Sequence, residues 1–308
     1  MAEEIIDLRH FRSRQLDPLW NEQAREWRRD LRWDYASTLT LVRQYVESRL
    51  LSGYVLTGNG REPLGYGFFI YDSGKGIIGD LYIRPEMRTE ARSNRLLEAM
   101  LETLQSTPGL RRIEAQIMPY QPAELELVFR AAGFAAHRRK FMVQPLEAAP
   151  ADSPVQGLAP WSGEAMDAAA QLIVEAYTGS VDAVINDHYR TRAGALRFLH
   201  NLVRFPGCGF FDTGASWMAM GTDRLRGLIL CSRVMPDVTH ITQLCVWPGA
   251  RRQGLGWQLL LQARVALCRS GCQAWSLTVS AENSAALQLY ERFGFDTLRE
   301  FDAYVWER

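Results

Sequence analysis

Lysine is almost missing from this chain. It occurs only at Lys75 and Lys140, and arginine carries the rest of the positive charge. Basic and acidic residues balance at 35 each, so the formal net charge is zero. Without a global field, neither nucleic acid nor an anionic membrane is an expected partner. Local arginine clusters can still grip a compact anion. Cysteine is scarce too: five residues, at positions 208, 231, 245, 268 and 272, with no C-x-x-C pair. That pattern argues against a disulfide framework and fits reduced thiols in a cytoplasmic protein. No His-x-x-x-His pair completes a zinc site, so no metal is expected. No apolar run approaches the ~20 residues of a membrane span. The first residues are acidic where a secretory leader needs bases, which also points to the cytoplasm.

What is present is ordinary globular composition: 308 residues, 47% hydrophobic and 23% charged. At roughly 150 residues per domain this suggests two. The stretch 147–160, EAAPADSPVQGLAP, has three prolines, small residues and few bulky apolars. It reads as a linker, dividing the chain into domains 1–146 and 161–308.

The halves repeat. LYIRPEMR at 81–88 aligns with LCVWPGAR at 244–251, an offset of 251 − 88 = 163. FRAAGF at 129–134 aligns with YERFGF at 290–295, an offset of 294 − 133 = 161. A tandem duplication follows. Each half reads as a β-rich stretch (65–83; 225–246), a proline–arginine turn, and a helix. Leu96, Leu97, Met100, Leu101 and Leu104 set that helix in the first copy; Leu259, Leu260, Ala263 and Leu267 set it in the second. Then come a strand (112–117; 274–279), a shorter helix stopped at Gly133 or Gly294, and a closing strand. Earlier helices are expected near 17–27, 37–51, 164–177 and 192–205. The implied class is α/β of the α+β type, built twice.

Chemistry concentrates at Arg251-Arg252-Gln253-Gly254-Leu255-Gly256. A strand ends near Val246, Pro248 and Gly249 break it, and a helix begins near Leu255. Glycines let a ligand approach the backbone, and unpaired amides at a helix start favour an anion such as a pyrophosphate. Arg251 and Arg252 add charge-assisted donors. The other reading of these six residues is a glycine turn on an arginine-rich surface. A dinucleotide fingerprint would need a third glycine where Leu259 stands, and the Gly-Lys-Ser/Thr of a P-loop is absent.

Val246-x-Pro248-x-x-Arg251-x-x-Gly254-x-Gly256, followed some thirty residues later by Asn283 through Leu287, Tyr290, Gly294 and Phe295, resembles the GCN5-related N-acetyltransferase (GNAT) superfamily. The match covers about 55 residues, and the internal repeat makes the chain a tandem two-domain member. The resemblance implies two tandem domains, each a mixed, mostly antiparallel sheet flanked by helices. It implies an acyl-CoA-dependent N-acetyltransferase with acetyl-CoA as donor and a small-molecule or peptide amine as acceptor. By that resemblance, amides of Arg252, Gln253, Gly254, Leu255 and Gly256, with Arg251, would hold the coenzyme A pyrophosphate. Leu244, Cys245 and Val246 would pair with the pantetheine arm, the Leu244 amide polarising the thioester carbonyl. Asn283 would touch the arm, cap a helix, or both.

Tyr290 falls at the family's general acid: a phenol of pKa about 10 can protonate a thiolate whose acid lies near 8.5. It also suits the inner face of its helix beside Leu287 and Phe293. His240, four residues before Leu244, stands where several members place a catalytic glutamate, and an imidazole can take the amine proton. The alternatives are an inert strand histidine and a water relay through Asp237, Glu175 or Asp187. Cys245, in an apolar strand, reads as a small buried hydrophobe rather than a nucleophile. In the first copy Ala91 and Ser93 replace Gly254 and Gly256, and Thr89 and Glu90 replace Arg252 and Gln253. Ile77 stands for His240 and Phe129 for Tyr290. That half is expected to be degenerate and non-catalytic, leaving one working site; a non-catalytic acyl-CoA sensor is the rival.

Overall fold

The computed structural model describes residues 3–146, 157–205, 207 and 209–308. The chain forms two compact units: the first runs to Arg139 and takes in Glu300–Arg308, the second is Lys140–Arg299. Residues 147–156 of the expected linker lie outside the described residues, and its tail, Leu158–Pro160, is a strand. Among the described residues no helix is long and apolar enough to cross a membrane.

The first unit contains β1 (Glu4–Asp7), α1 (Ser13–Leu31), α2 (Ala36–Glu47), β2 (Ser52–Thr57), β3 (Pro63–Asp72), β4 (Lys75–Ile83), α3 (Glu90–Ser106), β5 (Arg112–Gln116), α4 (Pro122–Ala131) and the start of β6 (Ala135–Pro145). The second contains the rest of β6, then β7 (Leu158–Pro160), α5 (Met166–Tyr177), α6 (Val181–Ile185), α7 (Arg192–Arg204), β8 (Phe210–Phe211), β9 (Trp217–Met220), β10 (Leu225–Met235), β11 (Val238–Val246), α8 (Leu255–Arg269), β12 (Ala274–Ser280), α9 (Ser284–Phe293) and the start of β13 (Asp296–Glu307).

The first unit's strands run in the order β1-β2-β3-β4-β5-β13 and the second's β6-β12-β11-β10-β9-β7, with β8 beside β10. Pairing is antiparallel except for β4 with β5 and β11 with β12, which are parallel. Helices cover both faces of each sheet. In the first unit Leu96, Leu97, Met100 and Leu104 of α3 are fully buried in one cluster, and Leu16, Leu19 and Trp20 of α1 in another. In the second, Leu259, Leu260, Ala263 and Leu267 of α8 fill one side, and Ala169, Ile173 and Leu199 of α5 and α7 the other. Each such leucine contributes roughly 1.5–3 kcal/mol of transfer free energy.

The expected closing strands need a correction. The last strand does not close its own half along its length: Ala303–Glu307 pairs antiparallel with β5 of the first unit. Packing explains this, because Tyr304 stacks on Phe129 with ring centroids 3.8 Å apart. The helix stops fall where glycine places them. Gly294, at φ 101°, ends α9 while the Phe295 amide reaches Tyr290 O at 3.0 Å. Gly133, at φ 83°, does the same for α4, with the Phe134 amide on Phe129 O at 2.9 Å.

Candidate active site

The site begins as a defect in a strand ladder. Across β10 and β11, Leu230 pairs with Gln243 but Cys231 with Ile241, so Thr242 is an extra residue, a β-bulge. On the other edge of β11, parallel pairing with β12 runs only from Val238 with Ala274 to Ile241 with Leu277. Beyond the bulge β11 continues to Val246 and β12 to Ser280 with no ladder between them. The two strands form a fork. The Trp247 amide donates to Arg226 O on β10 at 2.8 Å. Strand alternation then turns the Leu244 and Val246 amides to the opposite side, into the fork. The Leu244 carbonyl faces the same way and accepts the Tyr177 hydroxyl at 3.3 Å. An extended ligand arm entering there would meet an unpaired strand edge.

The loop after β11 leaves a run of backbone amides without protein acceptors among the described residues. The Arg251 amide donates to Pro248 O and the Gln258 amide to Gly254 O. Among the described residues, none of the six amides between them, Arg252 through Trp257, donates to a protein acceptor. The turn puts Arg252 at φ 60° and Gly254 at φ 77°. Gly254 is thus needed for its backbone conformation, since nothing lies within 4 Å of where its Cβ would be. Gly256 is needed for space: a Cβ would sit 3.1 Å from Leu289 Cδ2. Arg252, Gln253 and Gly254 are exposed. A phosphate at the start of the 15-residue α8 would meet these amides and the positive end of the helix dipole. Arg251 is tied down instead: its guanidinium donates to Ala176 O at 2.6 Å, fastening the loop to the end of α5. Gln253 Oε1 accepts from Arg226 at 2.7 Å.

Around the fork the structure gathers polar groups from helices α5, α6 and α9 and from strands β11 and β12. Tyr290 of α9 is 7% exposed, and no protein group among the described residues hydrogen-bonds its hydroxyl. Burial, then the charges of Asp182 and Cys245, hold that phenol well above its ordinary value. Asn283 caps α9 by accepting the Ala286 amide at 3.2 Å, and its Nδ2 donates to Asp182 at 3.4 Å. Asp182, on α6, is buried and accepts the Ser280 hydroxyl at 2.6 Å. Tyr177, the last residue of α5, is raised in pKa by burial first and then by Cys245, Tyr189, Asp182 and Tyr290. Tyr189 stacks on Tyr177 at 4.6 Å and donates to Gln243 Oε1 at 3.1 Å. Cys245 packs among the apolar residues of α5 and α7, and burial pushes its thiol up to about 12. His240 lies apart from this group, on the closed side of the fork. Its Nδ1 is 2.9 Å from Ser276 Oγ, and its ring stacks on Phe141. The family resemblance picked out Tyr290, Asn283 and Leu244. It gave no site role to Tyr177, which reads as one more apolar position of its helix, and left Asp182, in the segment 178–192 expected to line the acceptor pocket, between binding a cationic amine and being a solvated loop acid.

The corresponding place in the first unit is filled. A bulge falls at Gly79, since Phe68 pairs with Asp80 but Phe69 with Ile78, and 242 − 79 = 163. Parallel pairing of β4 with β5 ends at Ile78 with Ala115. Into that fork Arg88 folds back, donating to Ile83 O at 3.0 and 3.3 Å, with its guanidinium 5.0 Å from the Tyr120 ring centroid. Thr89 caps α3 by accepting the Arg92 amide at 3.3 Å. Asp80 accepts hydrogen bonds from Gln23, Tyr35 and Tyr66. Phe129 is fully buried against Tyr304.

A bulged, forked strand pair ending at a glycine loop with unsatisfied amides can now be compared with known proteins. Residues 182–295 match the family model described as the acetyltransferase (GNAT) family. Residues 182–295 thus carry a domain similar to the GNAT acetyltransferases. Among solved structures, a GCN5-related N-acetyltransferase from Sphaerobacter thermophilus matches at 16% identity and TM-score 0.70, covering 99% of this chain and 95% of that one. A tandem GNAT protein from the clavulanic acid biosynthesis pathway matches at 14% identity and TM-score 0.58, covering 99% and 98%. A glucosamine N-acetyltransferase region of a fungal multi-domain GH3 β-N-acetylglucosaminidase matches at 13% identity and TM-score 0.66, covering 99% of this chain and 38% of that one. Identities this low show the fold alone, and they show it over the whole tandem chain. No curated protein sequence matches. The chemistry that the GNAT fold serves is acyl-CoA-dependent acyl transfer to an amine.

Proposed function

We propose that this protein transfers an acetyl group from acetyl-CoA to the amine of a small molecule or peptide, using only its second unit. The observation that carries the reading is the run of amides from Arg252 to Trp257, with no protein acceptor, at the mouth of the β11–β12 fork. The first unit, with Thr89 capping α3 and Arg88 in its fork, serves structure.

Arg252 through Gly256 hold the pyrophosphate by backbone amides, with the exposed guanidinium of Arg252 above them. Leu244, Cys245 and Val246 present the open strand edge to the pantetheine arm, and the Leu244 amide polarises the thioester carbonyl. The acceptor nitrogen attacks the carbonyl carbon directly. The new C–N bond forms, the C–S bond breaks, and Tyr290 donates its proton to the departing thiolate. Burial, then the charge of Asp182, keeps the phenol protonated, so its proton is present when the thiolate departs. His240, four residues before Leu244 on β11, is assigned to take the proton the amine loses only through water, since its ring lies on the closed side of the fork. Asn283 keeps the start of α9 in place beside the arm.

The test is calorimetry with acetyl-CoA, followed by a screen of amines and peptides for thiol release. One CoA per chain and acceptor-dependent thiol release are expected. No binding at millimolar acetyl-CoA overturns the enzyme reading. Binding without thiol release for any acceptor marks a non-catalytic acyl-CoA sensor, and two CoA per chain refutes the single working unit.

A further inference from the structure

We infer that Gln243 sets acceptor specificity: its side-chain amide donates to an uncharged oxygen, a hydroxyl or a carbonyl, close to the amine that is acetylated. The inference rests on the acetyltransferase reading above and names what its acceptor carries beside the nitrogen.

Gln243 owes its direction to the bulge. Ile241 before Thr242, and Leu244 and Val246 after it, pack on the α8 side of the sheet. Cys245 packs among α5 and α7 on the other side. Strand alternation puts Gln243 with Cys245; without the extra residue it would share the face of Ile241. There Tyr189 donates to Gln243 Oε1 at 3.1 Å and stacks on Tyr177, whose hydroxyl reaches Leu244 O. That bond takes the oxygen of the amide and leaves the nitrogen over. Gln243 is 3% exposed, and its Nε2 has no hydrogen-bond partner among the described residues. Burial raises the Cys245 thiol to about 12 while the Gln243 side chain pulls it down, so the donor end of the amide faces Cys245. Sulfur is a weak acceptor, and the contact falls short of a hydrogen bond. Cys245 bears in turn on the phenols of Tyr177 and Tyr290. The unpaired nitrogen therefore opens toward the gap that holds the group assigned to protonate the leaving thiolate, one residue from the amide assigned to the thioester carbonyl.

The first unit shows the same position closed. Its counterpart is Asp80, since 243 − 80 = 163, one residue after the bulge at Gly79. One oxygen of Asp80 accepts from Gln23 at 2.7 Å and from the Tyr35 and Tyr66 hydroxyls at 2.9 Å each; the other accepts the Leu81 amide at 2.9 Å. Both oxygens are thus met from within, Gln23 coming from α1. Gln243 has one amide atom met and one not. A buried donor without an acceptor is rare and costly, and an acceptor oxygen brought by a ligand would complete the second unit as α1 completes the first. Burial is the main cause that raises Tyr177, Tyr290 and Cys245 alike. Such surroundings disfavour a new charge, so an uncharged oxygen suits the place better than a carboxylate.

Three coenzyme A conjugates test this without knowing the acceptor. In each the sulfur carries an acetamide, joining donor and acceptor in one molecule, and the acetamide nitrogen bears a propyl, a hydroxyethyl or a carbamoylmethyl group. Calorimetry on the full chain should show the hydroxyethyl or the carbamoylmethyl conjugate binding about three- to tenfold tighter than the propyl one, the range expected for one neutral hydrogen bond. Which of the two is preferred tells a hydroxyl from a carbonyl. Gln243→Met, of similar length but without a donor, should abolish the preference and leave propyl-conjugate affinity within about twofold; Gln243→Asn should keep part of it. If none of the three binds the wild-type protein, the acetyltransferase reading fails and the role of Gln243 falls with it. If all three bind wild type equally, or Gln243→Met keeps the preference, the role of Gln243 is wrong and the acetyltransferase reading stands. The wild-type comparison decides even if Gln243→Met does not fold.

Discussion

Arg88 and Arg251 sit at the same place in two copies of one design, 163 residues apart, and do opposite things with it. Each follows a strand with a bulge, at Gly79 and at Thr242, and each precedes a long helix. Arg88 turns inward onto Ile83 O and lies over Tyr120, closing its own fork. Arg251 turns sideways onto Ala176 O and leaves the loop beside it open. The helix starts differ in the same sense. Thr89 supplies a hydroxyl to an amide of α3, whereas at the α8 start, with Gly254 at φ 77°, the first amides meet no protein acceptor among the described residues. One backbone plan is thus either a finished piece of structure or, in the proposed reading, a binding site. What decides between them is whether the polar groups of the fork are satisfied from within.

The comparison is best broken at its two ring positions. Tyr290→Phe should lower kcat about 10²- to 10⁴-fold, the usual worth of a positioned acid, while CoA affinity barely moves. Steady-state thiol release and calorimetry read the two separately, and turnover within threefold of wild type would end the assignment of Tyr290 as the acid. Its counterpart Phe129 packs only against side chains, so Phe129→Ala should cost about 3–5 kcal/mol of stability with no specific effect on CoA binding. Urea unfolding measures this, and a loss below about 1 kcal/mol would contradict the buried stack with Tyr304.

A third experiment sharpens the loops. Gly254→Ala forces a Cβ into the left-handed region at a cost of about 1–2 kcal/mol and should weaken acetyl-CoA binding. The reciprocal change in the first unit, Ala91→Gly with Ser93→Gly, should leave calorimetric stoichiometry at one, because Arg88 and Tyr120 still fill that fork. A second bound CoA would show that glycines alone separate the copies. The smallest effect concerns Cys245. Burial pushes its thiol up to about 12, so the thiolate gains population only as pH rises toward that value, and at neutral pH the group is the unreactive thiol. Cys245→Ala should keep turnover within about twofold, as expected for a packing residue. Iodoacetamide should leave Cys245 untouched in the folded protein, read by mass spectrometry. Rapid labelling at pH 7 with loss of activity would reopen the nucleophile question.

Much of the fold was legible because its signals are local. Helical spacing placed α3 and α8, and the expected helix at 192–205 is Arg192–Arg204. Gly133 and Gly294 end their helices as read. The glycine loop was legible for the same reason, since a left-handed turn before a helix needs glycine within a few residues. The pairing of β13 was not legible. A strand alternating apolar and polar residues fits any sheet edge, and what brings Ala303–Glu307 to β5 is the stack of Tyr304 on a ring 175 residues earlier, 304 − 129 = 175.

The site divides along the same line. By itself the sequence determined the duplication, the element order, the loop Arg251 to Gly256, and the contrast that strips that loop from the first copy. These are properties of neighbouring residues, or of a repeat that can be counted. Only the tertiary structure decided that Arg251 is spent on Ala176, that His240 lies on the closed side of the fork, and that Tyr177 and Asp182 meet Leu244, Ser280 and Tyr290 there. Those meetings join residues roughly 70 to 110 positions apart through packing of α5 and α6 on the sheet, and the spacing of side chains along a chain carries no information about such closures.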